Sequence, residues 1–363
     1  MKSKYRKVLI IPYFGNFHDY FHLWLSSCSY NPDYDFLIYT DINVSQIKHP
    51  DNVKFMQCTL SDIRMKACRL LGFEVVLDRP YKLCDYRPIY GVLFYEDIKE
   101  YDFWGYCDID LIFGNISKFL TDDIFDNYDK ILTCGHFTLQ RNTPKINLIF
   151  KNDPDEYYKH VYSTNNSCLF DEGLFTGSLH LYDEKKLKPL TKFDKKRNIN
   201  EILYKNGLRI YINFDLYADI NVYYDNLRLV WGSDIATKDH YYKHSIFYFD
   251  NGHVIRKYLL NGVIESREYM YIHLQKRYMT VNTQNITNFL ILKHSFECFK
   301  TEIDKNILYR CNIDETKLDK KYINFKIFRF KCKIHYYFAL FYHLTGIDIR
   351  RILTGKKTYI YKD

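Results

Sequence analysis

Apolar and polar positions alternate along the first 150 residues in stretches that predict strands and helices in turn. Short apolar runs predict strands at residues 8–14, 36–40, 53–58, 103–107 and 130–134. Between them, apolar residues at helical spacing predict a helix at residues 16–29, a helix that ends at Leu71 and has Ser61 or Asp62 as its N-cap, and a helix at 87–98. Gly72 is placed to end the second helix, and Pro88 is tolerated in the first turn of the third. This alternation is typical of a doubly wound α/β sheet, so we predict a mixed, mostly parallel sheet flanked by helices.

After residue 150 the pattern is weaker. A helix is predicted at residues 144–162, and strands are predicted at 208–213 and 268–274. The clearest signal is a hairpin, in which strands at 245–249 and 254–259 flank Asp250-Asn251-Gly252. The composition becomes basic and aromatic near residue 300, where we predict a boundary between a main domain and a C-terminal helical extension, residues 301–363.

Composition indicates a globular protein. The 363 residues are 47% hydrophobic, which is ample for a core and excludes disordered and fibrous classes. None of the ten cysteines lies in a C-x-x-C pair, so we expect buried thiols in a reducing compartment. The apolar run at residues 8–11 ends at Pro12 and is too short for a signal peptide, and no segment has the length of a membrane span. We therefore expect a cytoplasmic protein.

The net charge of +8 is concentrated at the C-terminus. Residues 321–363 contain ten Lys and Arg but only two Asp. Aromatic and aliphatic residues at 334–344 can form a helical stripe with cations near its ends. This pattern suits a helix lying on an anionic membrane surface, on the cytoplasmic face of the inner membrane, and equally a helix that packs on the main domain.

Two acidic residues carry the strongest chemical signal. Asp108 and Asp110 directly follow the strand predicted at 103–107, whose aromatic and apolar residues indicate burial on both faces. Residues i and i+2 of a strand point to the same side, so both carboxylates can face one ion. Hard cations with oxygen ligands, Mg²⁺ or Mn²⁺, suit such a site. The pairs Asp33/Asp35 and Asp153/Asp155 repeat the spacing, but they lie in turn-forming sequence.

The segment YKLCDYRPIYGVLFYEDIKEYDFWGYCDIDLI, residues 81–112, resembles the donor-site core of GT-A glycosyltransferases. In that class a Lys or Arg, an Asp and often an Arg precede a helix, and a strand then ends in Asp-x-Asp. Pro12-Tyr13-Phe14-Gly15, after the first strand, and YIHLQKRYM, residues 271–279, extend the resemblance. It is closest to the small enzymes encoded in bacterial surface-polysaccharide loci. A GT-A-like (Rossmann-like) domain at residues 1–300 is then expected, with its nucleotide-sugar half at about 1–135 and its acceptor half at about 136–300.

The resemblance implies a metal-dependent hexosyltransferase that uses a nucleotide-sugar, a UDP-sugar in particular, and Mn²⁺ or Mg²⁺. A saccharide or lipid-linked saccharide would be the acceptor. The implied metal ligands are Asp108, Asp110 and His273. The implied donor contacts are Tyr13, Lys82, Asp85, Arg87, Asp108, Lys276 and Arg277. Such chemistry needs cations, because the donor leaves as a diphosphate.

Three further residues are candidates for the acceptor side of the site. His136 follows the strand predicted at 130–134, and Asp171 and Glu172 lie between apolar flanks. An inverting enzyme requires a carboxylate as general base, for which Asp171 or Glu172 is the candidate. A retaining enzyme does not, and the sequence leaves the stereochemistry open.

Two other functions are compatible with parts of the sequence. Acids and cations at strand ends also serve metal-dependent phosphotransferases and nucleases, but these usually gather more carboxylates or use a P-loop, and the chain has no G-x-x-x-x-G-K-[ST] or H-E-x-x-H match. The basic, aromatic C-terminus would also suit a non-enzymatic nucleic-acid-binding protein. The acidic pair after a buried strand argues against nucleic acid as the partner.

Overall fold

The computed structural model describes residues 3–153, 155–171, 199–219, 244–275, 277–299 and 302–310. All of them belong to one compact unit, residues 1–312. The predicted C-terminal extension lies, apart from residues 302–310, outside the described residues. So do the membrane-surface stripe within it and the candidates Glu172 and Lys276.

The described strands form three sheets. They are β1 Lys7–Pro12, β2 Tyr34–Thr40, β3 Val53–Gln57, β4 Phe103–Cys107, β5 Leu111–Phe113, β6 Lys130–Cys134, β7 Phe137–Arg141, β8 Ile210–Tyr211, β9 Tyr217–Asp219, β10 Ser245–Asp250, β11 His253–Leu260, β12 Val263–Tyr269, β13 Tyr271–His273, β14 Thr280–Asn282, β15 Asn288–Ile291 and β16 Ser295–Cys298.

The described α-helices are mostly short. They are α1 Phe21–Ser29, α2 Leu60–Leu71, α3 Leu83–Tyr86, α4 Tyr90–Leu93, α5 Tyr95–Ile98, α6 Ile116–Phe119, α7 Asp122–Asn127, α8 Pro144–Asn147, α9 Tyr157–Tyr162, α10 Ile199–Lys205 and α11 Lys305–Arg310. No described helix combines the length and the apolar character needed to cross a lipid bilayer.

The largest sheet has seven strands in the order β3-β2-β1-β4-β7-β6-β8. β1 pairs in parallel with both β2 and β4, whereas β7 runs antiparallel to β4 and β6. Alternate residues of the central strands enter two separate cores: Val8 and Trp104 face one, and Leu9 and Phe103 face the other. The prediction of an α/β protein with a mixed sheet flanked by helices is therefore confirmed. The chain reverses its direction of winding between β1 and β4, the point at which such sheets bind ligands.

The predicted strands 8–14, 36–40, 53–58, 103–107 and 130–134 correspond to β1, β2, β3, β4 and β6. Gly105 in β4 is explained by close approach to β7, since a Cβ there would lie 2.0 Å from the Thr138 carbonyl oxygen. The predicted hairpin is β10 and β11. Asn251 and Gly252 in its turn both have positive φ, 45° and 87°, the conformation that favours Asn-Gly.

Several helix predictions were wrong in their bounds. The first helix begins at Phe21 instead of residue 16, after Gly15 at a φ of 126°. The second begins at Leu60 and is capped by Thr59, whose hydroxyl accepts from the Asp62 amide in a capping box, so neither Ser61 nor Asp62 is the N-cap.

The helix predicted at 87–98 is broken into a 3₁₀ turn, Arg87–Ile89, and the separate helices α4 and α5. In a continuous helix the Gly91 carbonyl would accept a hydrogen bond from the backbone amide of Tyr95. Here it accepts from the side-chain amide of Asn147 at 3.3 Å. The helix predicted at 144–162 is also divided, because Asp153 accepts from the Tyr157 amide and Glu156 has a φ of 50°.

Two predicted strands are shorter or divided. The strand predicted at 208–213 is reduced to β8. The strand predicted at 268–274 is split, since residues up to Tyr269 belong to the six-stranded sheet β12-β11-β10-β15-β16-β14 and β13 joins the three-stranded sheet β5-β13-β9. β13 carries His273, one of the predicted metal ligands.

Lys130, at the start of β6, is an unusual buried residue. Its side chain is fully buried, and its amine has no hydrogen-bond partner among the described residues. Burial lowers the pKa of Lys130 to about 7, against which the charge of Asp171 acts only in part. Because an unpaired buried polar group costs free energy, Lys130 should weaken the fold.

We predict that Lys130→Met raises the free energy of unfolding at pH 7 by about 1–3 kcal/mol, the usual cost of an unsatisfied buried polar group. The folded-state pKa, about 7, is lower than the unfolded value of about 10.5. The unfolded chain therefore binds the extra proton between these values, and wild-type stability rises with pH across that window. Urea unfolding should show that the free energy of unfolding of the variant exceeds that of wild type by less at pH 9.5 than at pH 7. The exposed Lys145→Met is the control, and an advantage that does not depend on pH would contradict the prediction.

Candidate metal and donor site

The site lies at the carboxyl end of β4. Asp108 and Asp110 follow the last residue of that strand, and the Asp108 amide donates to the His136 carbonyl at 3.0 Å, which extends the β4–β7 ladder by one bond. The Asp110 carbonyl accepts from the Leu274 amide at 2.8 Å. The two acids therefore lie on a short bridge, residues 108–110, whose backbone is hydrogen-bonded at both ends.

Strand pairing brings His273 to the acids from 160 residues further along the chain. β5 continues directly from Asp110 and pairs antiparallel with β13, in a register that sets Leu111 opposite His273. The His273 Nε2 atom lies 3.6 Å from Asp110 Oδ2. One ligand atom from each of Asp108, Asp110 and His273 lies within 4.8 Å of the other two.

This group of three can hold a divalent cation. Two carboxylates and one imidazole are a suitable donor set for Mn²⁺, and the carboxylates suit Mg²⁺. Asp110 and His273 are buried, while the Asp108 side chain is 24% exposed, so the group is open to a ligand on the Asp108 side. The three predicted metal ligands are thus brought together.

A cation lies between two acids at two places in the site. Arg87 donates to Asp108 and, at 2.7 Å, to Asp171, and its guanidinium stacks over the Tyr106 ring. His273 lies between Asp110 and Asp219, with its Nδ1 atom 3.4 Å from Asp219 Oδ2. In the state that binds a cation His273 is neutral, and these four carboxylates then exceed the single charge of Arg87 by three negative charges. A divalent cation would compensate two of them.

The two histidines of the site have opposite pKa shifts. Burial lowers the pKa of His273, but the charges and hydrogen bonds of Asp110 and Asp219 outweigh it and raise the value to about 10. Burial and the charge of His273 lower the pKa of His136 well below its usual range. The two rings stack with centroids 4.2 Å apart, and His136 Nε2 has no hydrogen-bond partner among the described residues. His136 is therefore a neutral imidazole beside the candidate metal ligands.

Lys82 and Asp85 lie behind the site. They form a buried ion pair at 2.9 Å, and each side chain is also bonded to the segment before Asp171. The Lys82 amine donates to the Asn166 carbonyl, and Asp85 accepts from the amides of Cys168 and Phe170. The geometry favours a positioning role, in which this pair holds the backbone that presents Asp171 to Arg87.

The other two predicted donor contacts that the structure describes differ in their surroundings. Tyr13 follows β1, is half-buried and stacks on Phe17, and burial and the charge of Asp110 raise its pKa. Arg277 donates to the Lys293 carbonyl at 3.2 Å.

Sequence reasoning missed Asp219 and Gln275. Asp219 comes beside His273 through the parallel pairing of β9 with β13, and Gln275 donates to Asp219 from the turn after β13. Asp219 carries no local signal, because only the strand register places it beside His273. Gln275 lies two residues after His273, but its contact with Asp219 depends on the same register.

The chain was compared with known proteins. Curated proteins and solved structures gave no match. One family model matches residues 9–300, which include every described residue of the site. This protein therefore belongs to the family of unknown function designated DUF6625.

Proposed function

We propose that this protein is a metal-dependent glycosyltransferase with a GT-A-like fold, which moves a sugar from a nucleotide-diphosphate donor to a saccharide or lipid-linked saccharide. The observation that carries the proposal is the meeting of Asp108, Asp110 and His273 within 4.8 Å at the carboxyl end of β4. This is the ligand-binding edge of a doubly wound sheet, next to the point where winding reverses. The resemblance of residues 81–112 to GT-A donor sites supports the same assignment.

Each side chain has a role that follows from its position. Asp110 and His273 are buried and held by neighbouring acids or backbone, so they form the fixed part of the metal site. Asp108 is the exposed ligand and faces the donor. A bound Mn²⁺ or Mg²⁺ would neutralise charge on the departing diphosphate. Tyr13 lies beside this edge, where its ring can contact the nucleoside.

Two described residues are candidates for the acceptor side of the site. His136 is a neutral imidazole beside the proposed metal ligands, and its Nε2 atom has no hydrogen-bond partner within the described part of the chain, which suits a hydrogen bond to an acceptor or donor hydroxyl. Asp171 is buried and bonded to Arg87, an arrangement better suited to orienting Arg87 than to accepting a proton from an acceptor. If the reaction is inverting, Glu172 is then the stronger candidate for general base.

The arrangement argues for one cation and against two-metal phosphoryl transfer. The described residues contain a single group of three potential ligands, and two of the four carboxylates in the site are turned toward Arg87 and the far side of His273. Two-metal sites need carboxylates that bridge or surround both ions.

Arg87 limits metal binding in the absence of donor. It is bonded to Asp108, so that carboxylate must loosen its contact with Arg87 to ligate a cation. A donor diphosphate offers Arg87 a second anion, for which its planar guanidinium is well suited. We therefore propose that Arg87 moves from Asp108 toward the diphosphate, which couples metal binding to donor binding.

The first prediction is that pure protein with Mn²⁺ slowly hydrolyses one member of a panel of UDP-, GDP-, CMP- and dTDP-sugars. EDTA and Asp110→Asn should each lower this rate by orders of magnitude, because a neutral amide is a poor replacement for a carboxylate ligand. The exposed Asp155→Asn, in a pair of the same spacing, should keep the wild-type rate. Full hydrolysis in EDTA or by the Asp110 variant would refute the proposed function.

We predict next that Arg87→Gln binds Mn²⁺ about tenfold more tightly than wild type when no nucleotide is present. The reason is the loss of a cation that competes for Asp108, a bond of the charged kind worth about 1.5–3 kcal/mol. The same variant should lose donor turnover. Mn²⁺ affinity can be measured by electron paramagnetic resonance, with the surface variant Arg64→Gln as control. Weaker Mn²⁺ binding by Arg87→Gln would show instead that Arg87 holds Asp108 in place for the metal.

The third prediction concerns Lys276 and Arg277, which follow His273. Lys276→Ala or Arg277→Ala should weaken binding of the nucleoside diphosphate product by about 1.5–3 kcal/mol, the range for hydrogen bonds to charged groups. Calorimetry in the presence of Mn²⁺ measures this change, and the exposed Arg69→Ala is the control. Wild-type affinity in both variants would mean that this turn is structural only.

A further inference from the structure

We infer that Asp219 is a positioning residue that fixes the imidazole of His273 so that its Nε2 atom faces the cation. The inference rests on the metal site of the proposed function, but it does not depend on which group is transferred. It assigns a role to a residue that neither the sequence nor the family match singles out.

The first observation is the backbone register. β9 and β13 run parallel, and Asp219 is the register partner of His273. Asp219 ends its strand, and its side chain is buried. The contact is therefore set by two paired strands and not by a loose loop.

The second observation is that the two ring nitrogens of His273 lie near different carboxylates. Nδ1 lies 3.4 Å from Asp219 Oδ2, and Nε2 lies 3.6 Å from Asp110 Oδ2. When His273 is neutral and its proton lies on Nδ1, donated to Asp219, the Nε2 lone pair is directed at the Asp108–Asp110 side. In metal-binding histidines, one ring nitrogen commonly ligates the metal and the other donates to a carboxylate. This carboxylate sets the tautomer and the ring angle.

Gln275 holds Asp219 in place beside His273. Its amide nitrogen donates to Asp219 Oδ2 and lies 3.2 Å from His273 Nδ1. Two donors thus converge on one carboxylate oxygen of Asp219. Gln275 reaches this position with a φ of 56°, a left-handed conformation that is costly for a residue other than glycine.

Asp219 is not itself a ligand in this arrangement. The group whose ligand atoms lie within 4.8 Å of one another, within the described part of the chain, consists of Asp108, Asp110 and His273. Asp219 contacts the nitrogen of His273 that points away from Asp110. Its effect on the cation must therefore pass through His273.

The test is Mn²⁺ binding to the full chain, followed by electron paramagnetic resonance. We expect Asp219→Ala to weaken Mn²⁺ binding about 10–100-fold, the usual effect of removing such a partner. Asp219→Asn keeps the shape and an acceptor oxygen, so it should lose less. The matched control is Glu268→Gln, since Glu268 accepts from His253 at 2.8 Å in a pair that contains no metal ligand, and it should bind Mn²⁺ as the wild type does.

Thermal unfolding separates this role from a merely structural one. A structural Asp219 would lower the Tm of its variants in EDTA but leave the Kd for Mn²⁺ and the Tm gain on adding Mn²⁺ at their wild-type values, and that result would overturn the inference. If Asp219→Ala does not fold, Asp219→Asn alone decides it by the same comparison. Failure of the proposed metal site looks different, since wild type and His273→Ala would then bind Mn²⁺ equally weakly.

Discussion

The pairing of β5 with β13 is the contact on which the site depends. It joins the bridge after β4, which carries Asp108 and Asp110, to a strand 160 residues later, and its register sets His273 beside Asp110. The same strand β13 pairs with β9 on its other edge, which brings Asp219 to the far side of His273. One small sheet of three short strands therefore brings together the proposed metal ligands and Asp219, while β4 of the large sheet positions Asp108 and Asp110.

The second constraint is electrostatic. Arg87 between Asp108 and Asp171, and His273 between Asp110 and Asp219, each place one cation between two acids. Buried charges of this kind persist only where partners compensate them. The buried Lys82–Asp85 pair fixes the segment that leads to Asp171, because Asp85 accepts hydrogen bonds from two backbone amides just before it. Lys130 shows the contrast, since it is equally buried without a hydrogen-bond partner among the described residues, and its pKa falls accordingly.

The sequence predicted the parts of this arrangement that depend on local pattern. The buried strand β4 and the acids after it could be identified because burial on both faces and the i, i+2 spacing are properties of neighbouring residues. His273 required the resemblance to a family, and Asp219 could not be found at all, because its contact is a matter of strand register. The helix predicted at 87–98 failed for a related reason: the Asn147 amide takes the Gly91 carbonyl that a continuous helix would have used. The periodicity of neighbouring residues does not reveal that a side chain distant in sequence will bind a backbone carbonyl.

The two places where a cation lies between two acids also suggest why the site would respond to donor and metal together. To ligate a cation, His273 must be neutral at Nε2 and Asp108 must loosen its contact with Arg87. In the proposed site, metal binding would therefore release a proton from His273 and part Arg87 from Asp108. A diphosphate brings the negative charge that can receive Arg87, whereas the metal alone does not. In the proposed reaction, Arg87 therefore leaves Asp108 at least cost when the diphosphate arrives. In the proposed mechanism, the cation would therefore bind together with the donor.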